Sequence, residues 1–162
     1  MTHEVRYEDE GLRLWSSREL LVAAWFEAPT LERMREVARI GKALGSETGA
    51  GAAFANVIVS GVPRFSDDVR EEGIRIARER TFRRGSCHVV LATGLGGAAA
   101  RAFMSMVLLV GRRALGARAA PTKVFGDIGE AGAWLAAILD ESWTATEVRE
   151  LLRASAHRVP PQ

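Results

Sequence analysis

Several features on which whole classes of protein depend are scarce in this chain. One cysteine among 162 residues excludes an intramolecular disulfide framework and any zinc site built on cysteines. Basic and acidic residues almost balance, at 22 and 20 for a net charge of +2, so the chain has little long-range attraction for a phosphate backbone. Aromatic residues make up only 7% and form no evident stacking platform for bases. We therefore expect no nucleic-acid partner.

The sequence also lacks a stretch long enough to cross a membrane. Its longest apolar run, 95–110, contains Arg101 and is shorter than the ~20 apolar residues that a spanning helix needs. The opening segment, MTHEVRYEDEG, is polar and acidic, so it does not read as a secretory signal peptide. We expect a cytoplasmic protein without a membrane span.

Apolar residues are plentiful, at 48%, and their spacing predicts an α/β fold. Two short runs, 12–17 and 20–26, are rich in strand-forming residues and are joined by a turn near Arg18 and Glu19, which is typical of a β-hairpin. Three further strands are expected at 52–59, 87–93 and 122–126. Helical periodicity and capping residues predict helices at 31–44, 66–84, 95–111, 127–139 and 145–156.

This order predicts a mixed and mostly parallel five-stranded sheet with helices packed on it, and one extra C-terminal helix. We assign 1–141 to an α/β domain and 142–162 to the C-terminal helix and tail. The last helix has an apolar stripe of Val148, Leu151 and Leu152. That stripe needs a surface to cover, on its own domain or on a second copy of the chain.

The alternation across 11–140, the segment VSGVPRFSD at 59–67 and the ending PTKVFGDIGEAGAWLAAIL at 121–139 resemble the STAS-like superfamily. This superfamily includes anti-sigma-factor antagonists and the lipid-binding CRAL-TRIO domains, and the ending is similar to small bacterial STAS-like proteins of unassigned role. The resemblance implies a STAS-like fold and a binding module that works without catalysis.

The resemblance also implies a contact surface for a protein partner at the start of the second helix. In anti-sigma-factor antagonists a serine at that place is phosphorylated, and the added charge expels the partner kinase. The matching position here is about Asp67, with Ser66 just before it. Ser66 substitutes for that serine, or Asp67 holds a fixed charge, or Ser66 is only a helix cap. The expected surface comprises Ser66, Asp67 and Asp68, with Arg64 in the preceding loop.

Polar residues inside apolar strands suggest a second kind of site. Asn56 and His88 lie in central strands, where polar side chains must find hydrogen-bond partners. They form a satisfied core pair, lie on a face toward solvent, or provide the polar anchor of a ligand pocket. The apolar helix 95–111 offers Phe103 and Met106 as adaptable lining. That helix lies under its neighbours, lines a subunit interface or walls a hydrophobic cavity.

No group of residues in the sequence has the spacing of a known catalytic or metal-binding site. His3, His88 and His157 lie in unrelated segments without metal-ligand spacing, and no serine sits in a nucleophile-elbow sequence. Cys87 and His88 are adjacent on a strand, so their side chains point to opposite faces. The glycines of 94–97 lack the spacing of a nucleotide-binding loop.

We therefore expect no enzyme activity, no metal and no cofactor. The sequence favours a cytoplasmic, homodimeric interaction module that acts in regulation through a protein partner. The alternative is a carrier of a small hydrophobic or lipid-like ligand, held between the sheet and the helix 95–111.

Overall fold

The computed structural model describes residues 3–49, 51–60, 65–116 and 119–157. It contains one six-stranded sheet in which the strand order follows the chain. The strands are β1 (Glu4–Glu8), β2 (Leu12–Ser17), β3 (Leu20–Trp25), β4 (Ala53–Ile58), β5 (Gly85–Val90) and β6 (Thr122–Phe125). The helices within these ranges are α1 (Leu31–Thr48), α2 (Asp67–Arg78), α3 (Gly94–Leu115), α4 (Ile128–Ile138) and α5 (Ala145–Ala156).

The predicted hairpin is confirmed as β2 and β3. The two strands pair antiparallel from Leu12↔Trp25 to Ser17↔Leu20. The turn between them adopts a left-handed backbone at its first residue, Arg18, with φ 48°, as the tight turns of two-residue hairpins require. Every residue of both strands is buried, because apolar layers lie on both faces of the sheet.

The prediction of five strands is wrong, because β1 adds a sixth at the edge of the sheet. β1 pairs antiparallel with β2, from Glu4↔Ser16 to Glu8↔Arg13. Its sequence, EVRYE, is charged and largely exposed, so hydropathy gives no sign of a strand. Charged side chains suit an edge strand because they discourage pairing with another molecule.

The remaining strands form the parallel part of the sheet. β3, β4, β5 and β6 are consecutive neighbours that run parallel, and one helix connects each pair. Right-handed crossovers that advance in one direction place all their helices on one face, and α1, α2 and α3 indeed share a face. α4 and α5 cover the opposite face. The predicted α/β class and mixed sheet are confirmed.

Two helices are longer than predicted. α1 continues through Gly45 to Thr48 and is capped by Gly49, whose φ of 68° lies in the left-handed region that favours glycine. α3 continues to Leu115, four residues beyond the predicted end at 111. Within the ranges described above, no helix combines the length and apolar character needed to cross a bilayer.

α2 is shorter than predicted and ends at Arg78. The chain reverses at Arg80, whose φ is 53°. This reversal brings Phe82 into the core, where its ring stacks on Phe54 with centroids 4.5 Å apart. The burial of that phenyl ring explains why the helical pattern stops before 84.

The face of the sheet under α4 and α5 is closely packed. The predicted stripe of α5, Val148, Leu151 and Leu152, is fully buried against the sheet of the same chain. The entrance to α5 is fixed as the sequence predicts, by a capping box between Thr144 and Glu147. Of the two surfaces considered for this helix, it covers its own domain.

The hairpin turn and α5 are held together directly. The Arg18 guanidinium lies over the Trp143 ring, 3.8 Å from its centroid, and donates to the Ser142 carbonyl over 3.1 Å. The Trp143 indole in turn donates to Glu19 Oε1 over 3.2 Å. The last helix therefore closes over the first hairpin.

Candidate functional site

A cavity of about 920 Å³ lies between the sheet and α2. The strands β3 to β6 form its floor, α2 and α3 form its walls, and α1 and the segment after β3 contribute to its lining. The space exists because α2 packs chiefly on α1 and α3 and stands away from the strands. Pockets for small ligands usually enclose about 300–1,000 Å³, so this cavity lies at the upper end of that range.

The four residues predicted to line a pocket all line this one cavity. Asn56 and His88 lie on the floor, and Phe103 and Met106 lie on the α3 wall. The inner stripe of α2 faces them across the space and comprises Val69, Gly73, Ile76 and Ala77, and Arg80 lines the cavity just beyond the helix. The structure thus brings together residues that are about 50 positions apart in the chain.

The walls are apolar and rich in adaptable side chains. Met34, Met104 and Met106 all contribute thioethers, which fit irregular shapes. The Phe65 and Phe103 rings stack with centroids 6.2 Å apart and link the entrance of α2 to α3. Of the three positions considered for the apolar helix, the structure places α3 along the cavity, with an outer face on which Leu109 is 53% exposed.

The floor contains a chain of polar groups that crosses three strands. Asn56 on β4 lies directly beside His88 on β5 in the register of the sheet. The Asn56 Nδ2 atom is 2.9 Å from His88 Nδ1, and the Trp25 indole of β3 donates to Asn56 Oδ1. Asn56 and His88 are only half-buried, because the cavity opens onto them.

These contacts fix the hydrogen positions. An indole nitrogen can only donate, so the Asn56 atom that faces it is the carbonyl oxygen. The other atom of the Asn56 amide is therefore the NH₂ group, which donates to His88 Nδ1. Because Nδ1 accepts, the neutral imidazole carries its proton on Nε2. Desolvation lowers the pKa of His88 to about 4, so the ring is neutral near pH 7.

The hydroxyl groups around this chain use their protons within the protein. Ser60 Oγ donates to the Phe26 carbonyl over 2.7 Å, and Thr122 Oγ1 donates to the Ala120 carbonyl over 3.2 Å. Ser86 Oγ lies 3.1 Å from Thr122 Oγ1 and must be the donor there, because the Thr122 proton is already committed. These hydroxyls can still accept a hydrogen bond, but they have no proton left to donate.

Among the described residues, charged side chains line the cavity only at positions outside the floor strands. Glu27 follows β3 and pairs with Arg33 over 3.0 Å, and Asp67 pairs with Arg70 on the first turn of α2. Arg80 lines the cavity at the other end of α2, and within the described ranges its guanidinium has no ion-pair or hydrogen-bond partner.

The predicted partner surface is exposed at the start of α2. Ser66 occupies the N-cap position but makes no side-chain cap hydrogen bond. A hydrogen bond from Ser66, together with the Val69 N–H, holds the pKa of the Asp68 carboxyl below its usual value. The Asp67 side chain is 84% exposed and also lies against the cavity. Arg64, the fourth predicted residue, lies outside the described residues.

The remaining reactive side chain, Cys87, is separated from the cavity. It lies in the core between the sheet and α4 and α5, on the face opposite His88, and burial raises the pKa of its thiol to about 12. A thiol in this environment is not a thiolate at neutral pH. In the part of the chain that the structure describes, no three His, Cys, Asp or Glu side chains come together as a metal site.

Sequence reasoning missed the residues that complete the polar floor, chiefly Trp25, Ser86 and Thr122. Trp25 stands in an apolar run, where it is indistinguishable from an ordinary core residue. Only the register between β3 and β4 brings its indole to Asn56. The available signal was the spacing of two polar residues, Ser86 and His88, at alternate positions of a strand.

Three comparisons give no relative from which a function can be transferred. No model of a known protein family matches the chain, and neither a curated protein nor a solved structure is similar to it at a significant level.

Proposed function

We propose that this protein binds a small, mostly apolar molecule in the cavity between the sheet and α2, as a carrier or sensor and not as an enzyme. The observation behind this proposal is the open apolar space of about 920 Å³ with a polar chain at its floor. Side chains that fill such a space stabilise a fold, so a chain that keeps it open forgoes stability. A ligand bound in the cavity would restore that stability.

Substitution of Gly73 by leucine tests this proposal. Gly73 lines the cavity on α2, and an added Cβ would meet only Met34 Cε, at 3.9 Å. The leucine side chain then occupies part of the space, and it also favours the helix over glycine by about 1 kcal/mol. We expect Gly73→Leu to fold at least as stably as the wild type and to bind the neutral apolar dye N-phenyl-1-naphthylamine at least tenfold more weakly.

Gly96→Leu is the matched control, because a Cβ at Gly96 on α3 meets nothing within 4 Å and Gly96 does not line the cavity. The control should bind the dye like the wild type. Native mass spectrometry of the purified protein adds a direct search for a retained ligand. Equal dye binding by wild type and Gly73→Leu, with no retained ligand, would overturn the proposal.

A second candidate follows from the STAS-like resemblance: a regulatory interaction module whose partner contacts the start of α2. Its support is the exposure of Ser66, Asp67 and Asp68 beside the cavity mouth, where partner binding and ligand binding would meet. Wild-type protein should capture a specific partner from lysate that Asp67→Arg fails to capture. Glu141→Arg, at an exposed acidic residue outside α2, is the control and should capture it.

The same module is proposed to form a homodimer through α3. The outer surface of α3 exposes Leu95 and Leu109 by 91% and 53%, which is apolar area that a second copy would cover. Light scattering should then give twice the chain mass for the wild type and the chain mass for Leu109→Glu. A wild-type monomer at high concentration would contradict it.

A further inference from the structure

The donors and acceptors on the cavity floor determine which hydrogen-bonding group a ligand must carry. The indole of Trp25 and the hydroxyls of Ser60, Ser86 and Thr122 all direct their protons to protein acceptors. Within the described residues, the floor then retains two unsatisfied donors: His88 Nε2–H and the second hydrogen of the Asn56 amide. Water can reach both donors, because Asn56 and His88 are half-buried and face the open cavity. A ligand that displaces this water without supplying an acceptor leaves the two N–H groups unpaired, which is costly, so an occupant with an acceptor at that place is favoured.

We propose that the ligand carries an uncharged hydrogen-bond acceptor, such as a ketone, ester or amide carbonyl, and that this oxygen accepts from His88 Nε2–H. This inference rests on the proposed function, because it specifies the chemistry of the molecule that fills the cavity. The Trp25–Asn56–His88 chain acts as a positioning device: it fixes the imidazole tautomer so that a donor, and not an acceptor, meets the ligand.

The floor strands place no charged side chain in the cavity, and this determines that the part of the ligand beside His88 is uncharged. In the part of the chain that the structure describes, the charged residues that line the cavity are Glu27 after β3, Asp67, Arg70 and Glu71 on α2, and Arg80 just beyond α2. A carboxylate placed beside the neutral His88 ring would be desolvated without a cationic partner, which is costly. A carbonyl oxygen has no such cost, so the floor selects an uncharged acceptor.

Competition between matched probes tests this inference. 2-Nonanone, nonane and nonanoate have the same chain length and differ in one end, and each can displace N-phenyl-1-naphthylamine from the cavity. We expect His88→Phe to raise the Kd of 2-nonanone about fivefold relative to that of nonane, which corresponds to the loss of one neutral hydrogen bond. His3→Phe, the same change at an exposed histidine outside the cavity, should leave that ratio unchanged.

Two further measurements distinguish the loss of this hydrogen bond from a general disturbance of the cavity by the substitution. One uses a variant that keeps a donor, and the other is spectroscopic. His88→Gln retains an N–H and should recover part of the preference for the ketone. In ¹⁵N spectra of the wild-type histidines, Nε2 of His88 should carry the proton, and its resonance should move with 2-nonanone and not with nonane.

The possible failures are distinguishable. If the dye does not bind in the cavity at all, the proposed function fails and the inference with it. If dye and nonane bind but His88→Phe weakens nonane and 2-nonanone equally, the inference alone is overturned. Tightest binding by nonanoate, lost in Arg80→Gln, would also overturn it, because the ligand would then be an anion held at the rim.

Discussion

The two faces of the sheet are built in opposite ways. Under α4 and α5, the side chains of Val57, Val89, Leu135 and Leu151 are buried in one continuous apolar cluster. Under α1, α2 and α3, the apolar contacts divide into two smaller clusters, and the cavity lies between the sheet and α2. The face under α4 and α5 therefore contributes most of the apolar packing, and the face under α1, α2 and α3 contains the cavity.

Ion pairs accompany a small apolar contact at α2, whose buried apolar side chains are Val69 and Ile76. Lys42 of α1 pairs with Glu79 just after α2, and the buried Glu72 pairs with Arg75 of the same helix. Partly exposed ion pairs contribute less than buried apolar area. Stability therefore depends mainly on the layer of α4 and α5, and the proposed binding depends on the layer of α1, α2 and α3, so substitutions can alter each property separately.

Hydrogen exchange should show the largest difference between the faces. Amides of α4 and α5 are covered by the continuous core and should exchange only through global unfolding, whereas α2 can open locally. We expect protection of α2 amides to be lower by at least two orders of magnitude. Mass spectrometry of exchanged peptides measures this, and equal protection of α2 and α5 would contradict the division of roles.

Matched leucine truncations should separate the faces by stability. Leu135 of α4 is fully buried, so Leu135→Ala should lower the free energy of unfolding by about 2–5 kcal/mol. Leu108 of α3 is half-buried and lines the open cavity, where truncation creates no new enclosed void, so Leu108→Ala should cost less than about 1.5 kcal/mol. Urea unfolding compares the two, and a larger loss for Leu108→Ala would reverse the comparison.

Acid should weaken the cavity face through His88. The pKa of this imidazole is lowered by desolvation to about 4 from 6.5, so the unfolded chain takes up the proton first as pH falls. The free energy of unfolding should therefore decrease between about pH 6.5 and 4, by roughly 1–3 kcal/mol. His88→Phe should remove this part of the pH dependence, and His3→Phe should retain it. An unchanged slope in His88→Phe would contradict the neutral ring.

A smaller effect is expected at Asp9, which ties the edge hairpin to α1. Burial alone would raise the pKa of Asp9, but hydrogen bonds from Arg33, Tyr7 and the Gly11 and Leu12 amides hold it to about 2, below 3.8. Its contribution is present above pH 3.8 and is lost as pH falls toward 2. Asp9→Asn should cost about 1–2 kcal/mol at pH 7. The difference from wild type should vanish near pH 2 in thermal unfolding, and its persistence there would contradict the pKa.

Much of the architecture can be predicted from the sequence, because elements with a buried face show a periodic pattern of apolar residues. The runs LRLWSS and LLVAAW predict the hairpin, and Thr144 with Glu147 predicts the start of α5. β1 has no such signal, since an edge strand of charged residues buries little. Gly45 and Gly49 are equivalent in the sequence, and only backbone conformation shows which of them ends α1.

The candidate site was only half predictable for a related reason. The sequence singles out Asn56 and His88 as polar residues in apolar strands, but only the register between β4 and β5 shows that they lie side by side on one face. The cavity itself depends on how far α2 stands from the strands, a distance that the helical pattern of Val69, Gly73 and Ile76 does not encode. The role of Trp25 depends on strand register, which long-range pairing determines.

The contact between the Arg18 turn and Trp143 has a consequence for biosynthesis. Glu19 and Trp143 are 124 positions apart, and ribosomes add about 5–20 residues per second, so roughly 6–25 s separate their emergence during translation. Throughout that interval the apolar side chains of the hairpin that pack under α4 and α5, Trp15, Leu20 and Val22, lack this cover, and exposed apolar surface of this kind makes a folding chain prone to aggregate. Maturation of the first segment to leave the ribosome therefore waits for the arrival of α5.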